Sequence, residues 1–229
     1  MSGVVTAVAL VAYSALANVD DASQRRYVVR NVAAGLLLVA MARRRGLTWD
    51  QVALSPSRIV PALRMGARRT AASAAAVAIA TIVASRHPSG RRLLADRRAD
   101  VPPRELWWQT LVRIPVGTAA FEEVAFRGVL LGLLADAHGE RTGVWASSVT
   151  FGLWHVAPTV AALRINGVAE GRARASAAAV AVTTVAGVVL GRMRLKDGHV
   201  VTPWLTHWVI NALALAAAAR WQSTRRAAT

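Results

Sequence analysis

The sequence predicts an all-α, polytopic transmembrane helix bundle of about seven spans (six to eight). Three observations carry that reading. More than half of the residues are hydrophobic (55%) and the mean hydropathy is +0.38, too apolar for an ordinary soluble domain. Apolar runs of spanning length alternate with short basic segments along most of the chain. Polar side chains inside the later runs are few, and they stand at helical spacing.

In order along the chain, Gly3 to Val19 is an uncharged run long enough to span, without the basic leader of a cleaved signal, and reads as a retained first span. Asp20 to Arg26 is a polar loop, and Tyr27 to Ala42 is a weaker second span whose Arg30 can snorkel to the interface. Arg43 to Arg69, broken by Pro56 and Pro61, reads as a basic loop with an interfacial helix. Thr70 to Ser85 is an Ala-rich third span whose small residues permit close packing. Arg86 to Arg104 is a second basic loop. A long helical pattern then runs from about Glu105 to Asp136, opened by Pro103, anchored by Trp107 and Trp108, and kinked at Pro115. Thr142 to Leu163, Ala175 to Gly191 and Val200 to Ala219 complete the spans, and Arg220 to Thr229 is a basic tail. The expected division is 1–100 for N-terminal helices with basic loops, 101–220 for a second transmembrane domain and 221–229 for the tail.

The formal charge of +16 arises from 28 basic residues against 12 acidic ones, and Lys196 is the sole lysine. Because the bases cluster between apolar runs, they suit anionic lipid headgroups rather than nucleic acid. They divide too evenly between the two sets of loops for the positive-inside rule to assign an orientation. With no cysteine, disulfides, thiolate nucleophiles and thiolate metal sites are excluded.

The chemistry concentrates in Phe121-Glu122-Glu123-Val124-Ala125-Phe126-Arg127-Gly128. Three unpaired charges facing lipid would cost about 8–10 kcal/mol on an insertion scale, so they face the bundle interior. Glu123 and Arg127, four residues apart, share a helix face and pair, while Glu122 is rotated away and left available as a base. A buried structural ion pair with one extra acid is the plainer reading of the same stretch. Two further spans carry polar groups: Phe151-Gly152-Leu153-Trp154-His155, and His207-Trp208-Val209-Ile210-Asn211 with His207 and Asn211 stacked on one face. A lone histidine on an apolar helix is more often a satisfied core residue than a ligand. Three polar clusters, each needing a partner in hydrocarbon, are cheapest when they face one another. His87, His138 and His199 flank loops and are expected to be solvated, and His87-Pro88-Ser89-Gly90 reads as a turn. No His-Glu-x-x-His, Gly-x-Ser-x-Gly or Gly-x-Gly-Asp motif occurs.

The order Glu-Glu-x-x-x-Arg, Phe-x-x-x-His, His-x-x-x-Asn resembles the CPBP family of intramembrane proteases, which groups type II CAAX prenyl endopeptidases with bacteriocin-processing and bacteriocin-immunity membrane proteins. The resemblance covers about Glu105 to Ala218; residues before about 100 carry nothing that matches. It implies a membrane-embedded endopeptidase, multi-pass in a bacterial cell membrane, acting on a membrane-associated peptide or protein that is prenylated in the CAAX case. It places the general base on Glu122, support on Glu123 and Arg127, water holding on His155, and oxyanion stabilisation or metal binding on His207 and Asn211. The residue chemistry allows two mechanisms. A carboxylate is a competent base for water, with Asn and protonated His as oxyanion donors. Glu122, His155 and His207 equally make a three-ligand set for a divalent metal such as zinc. Two non-hydrolytic readings stand beside the protease: an immunity or scaffold membrane protein, and a proton-coupled transporter, against which the expected lack of broken helices counts.

Overall fold

The computed structural model describes residues 2–19 and 23–227, and among them it is an all-α helical bundle without strands. The first helix, α1 (Gly3–Val19), coincides with the expected span. The Asp20 to Ala22 part of the expected polar loop, and the last two residues of the basic tail, lie outside the described residues. Helix α2 (Gln24–Arg44) starts on Ser23, whose side chain accepts from the Arg26 amide and satisfies one of the free donors of the first turn.

The loop expected over Arg43 to Arg69 is shorter than predicted. After the turns that follow α2 and a 3₁₀ turn at Pro56–Arg58, helix α3 (Ile59–Arg86) is already under way. Pro61 occupies its first turn, where a missing N–H breaks no helical bond, so the proline does not delay the helix. The second basic loop holds a short helix, α4 (Pro88–Leu94), which opens where a turn was expected, and a 3₁₀ turn at Arg97–Ala99.

The long helix α5 spans 103–138. Its ends are α-helical, Pro103–Trp108 and Leu131–His138, but Gln109–Ala120 and Glu123–Leu130 are wound as wide π turns. Leu131, for example, donates to the Phe126 carbonyl five residues back. Pro115 contributes by removing an N–H and crowding the preceding turn. Neighbouring side chains bond carbonyls along the wide stretch. Asn31 Nδ2 donates to Gly117 O at 2.7 Å, Trp204 Nε1 to Pro115 O at 2.8 Å and Trp208 Nε1 to Thr110 O at 2.8 Å.

Gly139, at φ +82°, turns the chain into the next helix at once, so the loop expected at Ala137 to Arg141 shrinks to that residue. The predicted span Thr142 to Leu163 is two helices, α6 (Glu140–Trp154) and α7 (Val156–Ile165), jointed at His155. Pro158 has no N–H to return to the Trp154 carbonyl, and the Ser14 hydroxyl of α1 takes that acceptor instead at 2.6 Å. The expected absence of broken helices therefore does not hold. Helices α8 (Arg172–Asp197) and α9 (Val201–Ala227) complete the bundle, and α9 carries on as helix through most of the predicted tail.

Polar contacts gather the connections at two ends. At one end Val200 N donates to Ala53 O at 3.0 Å, Gln51 Nε2 to Asp136 at 2.9 Å, and Arg69 pairs with Asp197 at 2.9 Å. At the other, Asp96 receives Asn166 Nδ2 at 3.0 Å and Asp100 pairs with Arg226. Between them lies an aromatic and aliphatic core of Leu10, Phe121, Ala125, Phe126, Leu130, Leu134, Phe151 and Trp154, which α1, α5 and α6 share. Three helical stretches are long and apolar enough to cross a membrane: Pro56–Arg86, Arg172–Asp197 and Val201–Ala227; Gly3–Ala17 is a shorter apolar helix.

Candidate active site

Glu122, Glu123, Arg127 and His207 come together halfway along α5. All four side chains are buried, Glu123 completely. The i, i+4 pair foreseen from spacing is present: Arg127 donates to Glu123 Oε1 at 3.1 Å. The same oxygen takes His207 Nδ1 from α9 at 2.8 Å. An ionised carboxylate only accepts, so in this arrangement the imidazole carries its proton on Nδ1 and turns Nε2 toward Glu122, 3.7 Å from Oε2. Glu123 is thus paired with both a guanidinium and an imidazole N–H in a buried space, and pairing of this kind is the condition for keeping a charge there.

The two oxygens of Glu122 are not equivalent. Oε1 accepts the indole N–H of Trp154 at 3.1 Å, whereas Oε2 is buried and without a hydrogen-bond partner. Glu122 therefore presents one anchored and one vacant oxygen, the vacant one on the side of His207.

Phe151 organises the rest. Its ring lies 3.9 Å from the Arg127 guanidinium carbon, an energetically favourable cation–π contact in a desolvated site. It also meets both imidazoles edge-on, with centroids 4.5 Å from His155 and 6.0 Å from His207. His155 sits at the joint between α6 and α7, and its Nδ1 is 2.7 Å from the Phe151 carbonyl, which leaves Nε2 as its free nitrogen. Asn211, one turn beyond His207 on α9, is half-buried and stands outside this hydrogen-bonded set.

The metal set expected of Glu122, His155 and His207 is not assembled: among the described residues no group of three or more His, Asp or Glu side chains converges to hold an ion. As placed, these residues do not fit zinc.

A cavity of ≈ 400 Å³ runs to Glu123 from the end of the bundle near Ala53 and Val200, walled by Leu54, Ile59, Val124, Val201 and Trp204. His199 lies along it. It is buried, not solvated as the sequence suggested, because its Nδ1 accepts from Val201 N at 3.1 Å and folds the ring inward. Burial lowers the His199 pKa from its usual 6.5.

Sequence reasoning missed Trp154, although it stands beside His155. The available signal was a donor that must find a partner in an apolar interior, next to the acids that lack one. It also missed Trp204 and Trp208, which fix α9 against α5 on either side of His207.

Fold and site together define an all-α integral membrane protein with a buried carboxylate–imidazole–guanidinium cluster beside an apolar cavity. Residues 103–213, which contain α5 to α8 and the first half of α9, match the family model described as "Type II CAAX prenyl endopeptidase Rce1-like", and in this segment the chain is similar to that family. No curated protein and no solved structure matches the chain. At the family level the activity is CAAX-type endoproteolysis of a membrane-associated protein substrate.

Proposed function

We propose that the chain is a multi-pass intramembrane endopeptidase in which Glu122 activates water for hydrolysis of a membrane-associated substrate, prenylated in the CAAX manner. The observation that carries this reading is the vacant, buried Oε2 of Glu122 facing His207 Nε2 across 3.7 Å. A water held there gives a proton to Oε2 while its oxygen attacks the scissile carbonyl carbon. The tetrahedral intermediate collapses as the C–N bond breaks, and the proton on Glu122 passes to the leaving amine.

Glu123 keeps the His207 imidazole turned toward this water, and Arg127 balances the charge of Glu123. Asn211 and the Nε2 of His155 are the polar groups left to meet the oxyanion and the water. The apolar walls of the cavity suit a lipid chain or aliphatic side chains of the substrate, whose burial contributes roughly 25 cal/mol per Å².

The test is cleavage of a fluorogenic prenylated peptide by the wild type and by Glu122→Ala, both reconstituted in liposomes, with mass spectrometry of the products. The proposal expects one internal peptide bond cut by the wild type and none by the variant. Equal cleavage by a folded Glu122→Ala protein refutes the assignment.

A further inference from the structure

Trp154 is held by three separate devices. Its ring, 3% exposed, lies against Tyr13 of α1 at a centroid distance of 6.1 Å and against Phe121 and Phe126 of α5 at 5.6 Å each. Its backbone carbonyl, which loses its helical donor to Pro158, is taken by the Ser14 hydroxyl at 2.6 Å. Its indole N–H ends on Glu122 Oε1 at 3.1 Å. Ring, carbonyl and N–H are therefore fixed by α1 and α5 together, and little freedom remains at the indole.

This matters because a carboxylate rotates about its last carbon–carbon bond at small cost, and a freely turning Glu122 would offer either oxygen to water. We infer that Trp154 is a positioning residue for hydrolysis: by tying down Oε1 it keeps Oε2 turned toward His207, and Ser14 and Tyr13 of α1 brace it. The first helix, outside the family-matched segment 103–213, would then serve the reaction through Trp154. The inference rests on the general-base role of Glu122 given above. A merely structural tryptophan would fill the same volume without orienting anything, so the test must remove the N–H and keep the ring.

The experiment compares full-length wild type, Trp154→Phe, Glu122→Gln, and a protein carrying β-(3-benzothienyl)alanine at position 154, in which sulfur replaces the N–H with nearly the same shape. All are reconstituted in liposomes with the fluorogenic prenylated peptide. Loss of a hydrogen bond to a charged group lowers kcat by about tenfold or more, with KM close to wild type, in both position-154 proteins, and Trp154→Phe, which also empties part of the buried indole volume, melts below the benzothienyl protein. Wild-type kcat in the benzothienyl protein overturns the inference. The two readings fail separately: a Glu122→Gln enzyme that still cleaves removes the base, whereas an inactive Glu122→Gln beside a fully active benzothienyl protein removes Trp154 alone.

A readout free of activity is the indole ¹⁵N–¹H resonance of Trp154, assigned by its loss in Trp154→Phe. It is expected to lie downfield in the wild type and to move upfield in Glu122→Ala. An unmoved resonance overturns the contact on which the inference depends.

Discussion

His207 Nδ1 lies 2.8 Å from Glu123 Oε1, the same oxygen that receives the Arg127 guanidinium. Glu123 is thus the hinge of the cluster, joining α5 to α9 and offsetting the charge of a fully buried arginine. Glu123→Ala leaves that arginine unpaired, and removal of one partner of a buried ion pair costs about 3–5 kcal/mol. Thermal unfolding in detergent should show a large drop for Glu123→Ala and little change for Glu122→Gln, whose side chain keeps an acceptor for Trp154.

Gly187 of α8 packs directly on α6. A Cβ there would meet Ser148 Cβ at 2.9 Å and Ser148 Cα at 3.0 Å. The second of these is backbone and cannot swing aside. Gly187→Ala should therefore destabilise by about 1–3 kcal/mol through overpacking, and Ser148→Ala should not rescue it. Melting temperatures of the single and double variants decide the point.

Trp208 Nε1 donates to the Thr110 carbonyl in the wide part of α5, and Trp204, stacked on it at 5.8 Å, donates to Pro115 O. Trp208→Phe keeps the ring but withdraws the donor. A loss of about 1–3 kcal/mol follows if the carbonyl is left without a partner. Hydrogen exchange at Val112 to Ala120 should quicken in this variant, and unchanged exchange would show that the bond contributes nothing to the wide turns.

Asp96 supplies a pH dependence outside the spans. Burial raises its pKa, but hydrogen bonds from Arg98 and Asn166 outweigh burial and leave it below its usual 3.8. A carboxylate with a depressed folded pKa adds stability that is fully present above the unfolded value and is lost as pH falls through the folded one. The wild type should lose more of its melting temperature than Asp96→Asn as pH is lowered through 3.8, and parallel curves would contradict the assignment.

The bundle was legible in the sequence because apolar run length reports directly on helices of spanning size, and α1 coincides with its run residue for residue. The Glu123–Arg127 pair was legible because it is local, four residues apart on one helix. Breaks were harder. Pro61 looked like an interruption and is a helix start, while the break at His155 has its cause three residues downstream, in Pro158. The bond from Trp154 to Glu122 and the one from Ser14 to Trp154 link residues 32 and 140 positions apart, and no periodicity records such contacts. The gathering of Glu122, His155 and His207 around a metal was a sum of residue types. In the structure, Phe151 contacts both imidazoles and the three side chains do not converge.

The most direct measurement is cleavage of the prenylated peptide by purified wild type and Glu122→Gln side by side, with bound metal quantified in the same samples. The account predicts cleavage by the wild type alone, with metal well below one ion per chain. Cleavage by Glu122→Gln would contradict the role of Glu122, and stoichiometric metal required for wild-type activity would contradict hydrolysis by the carboxylate and water alone.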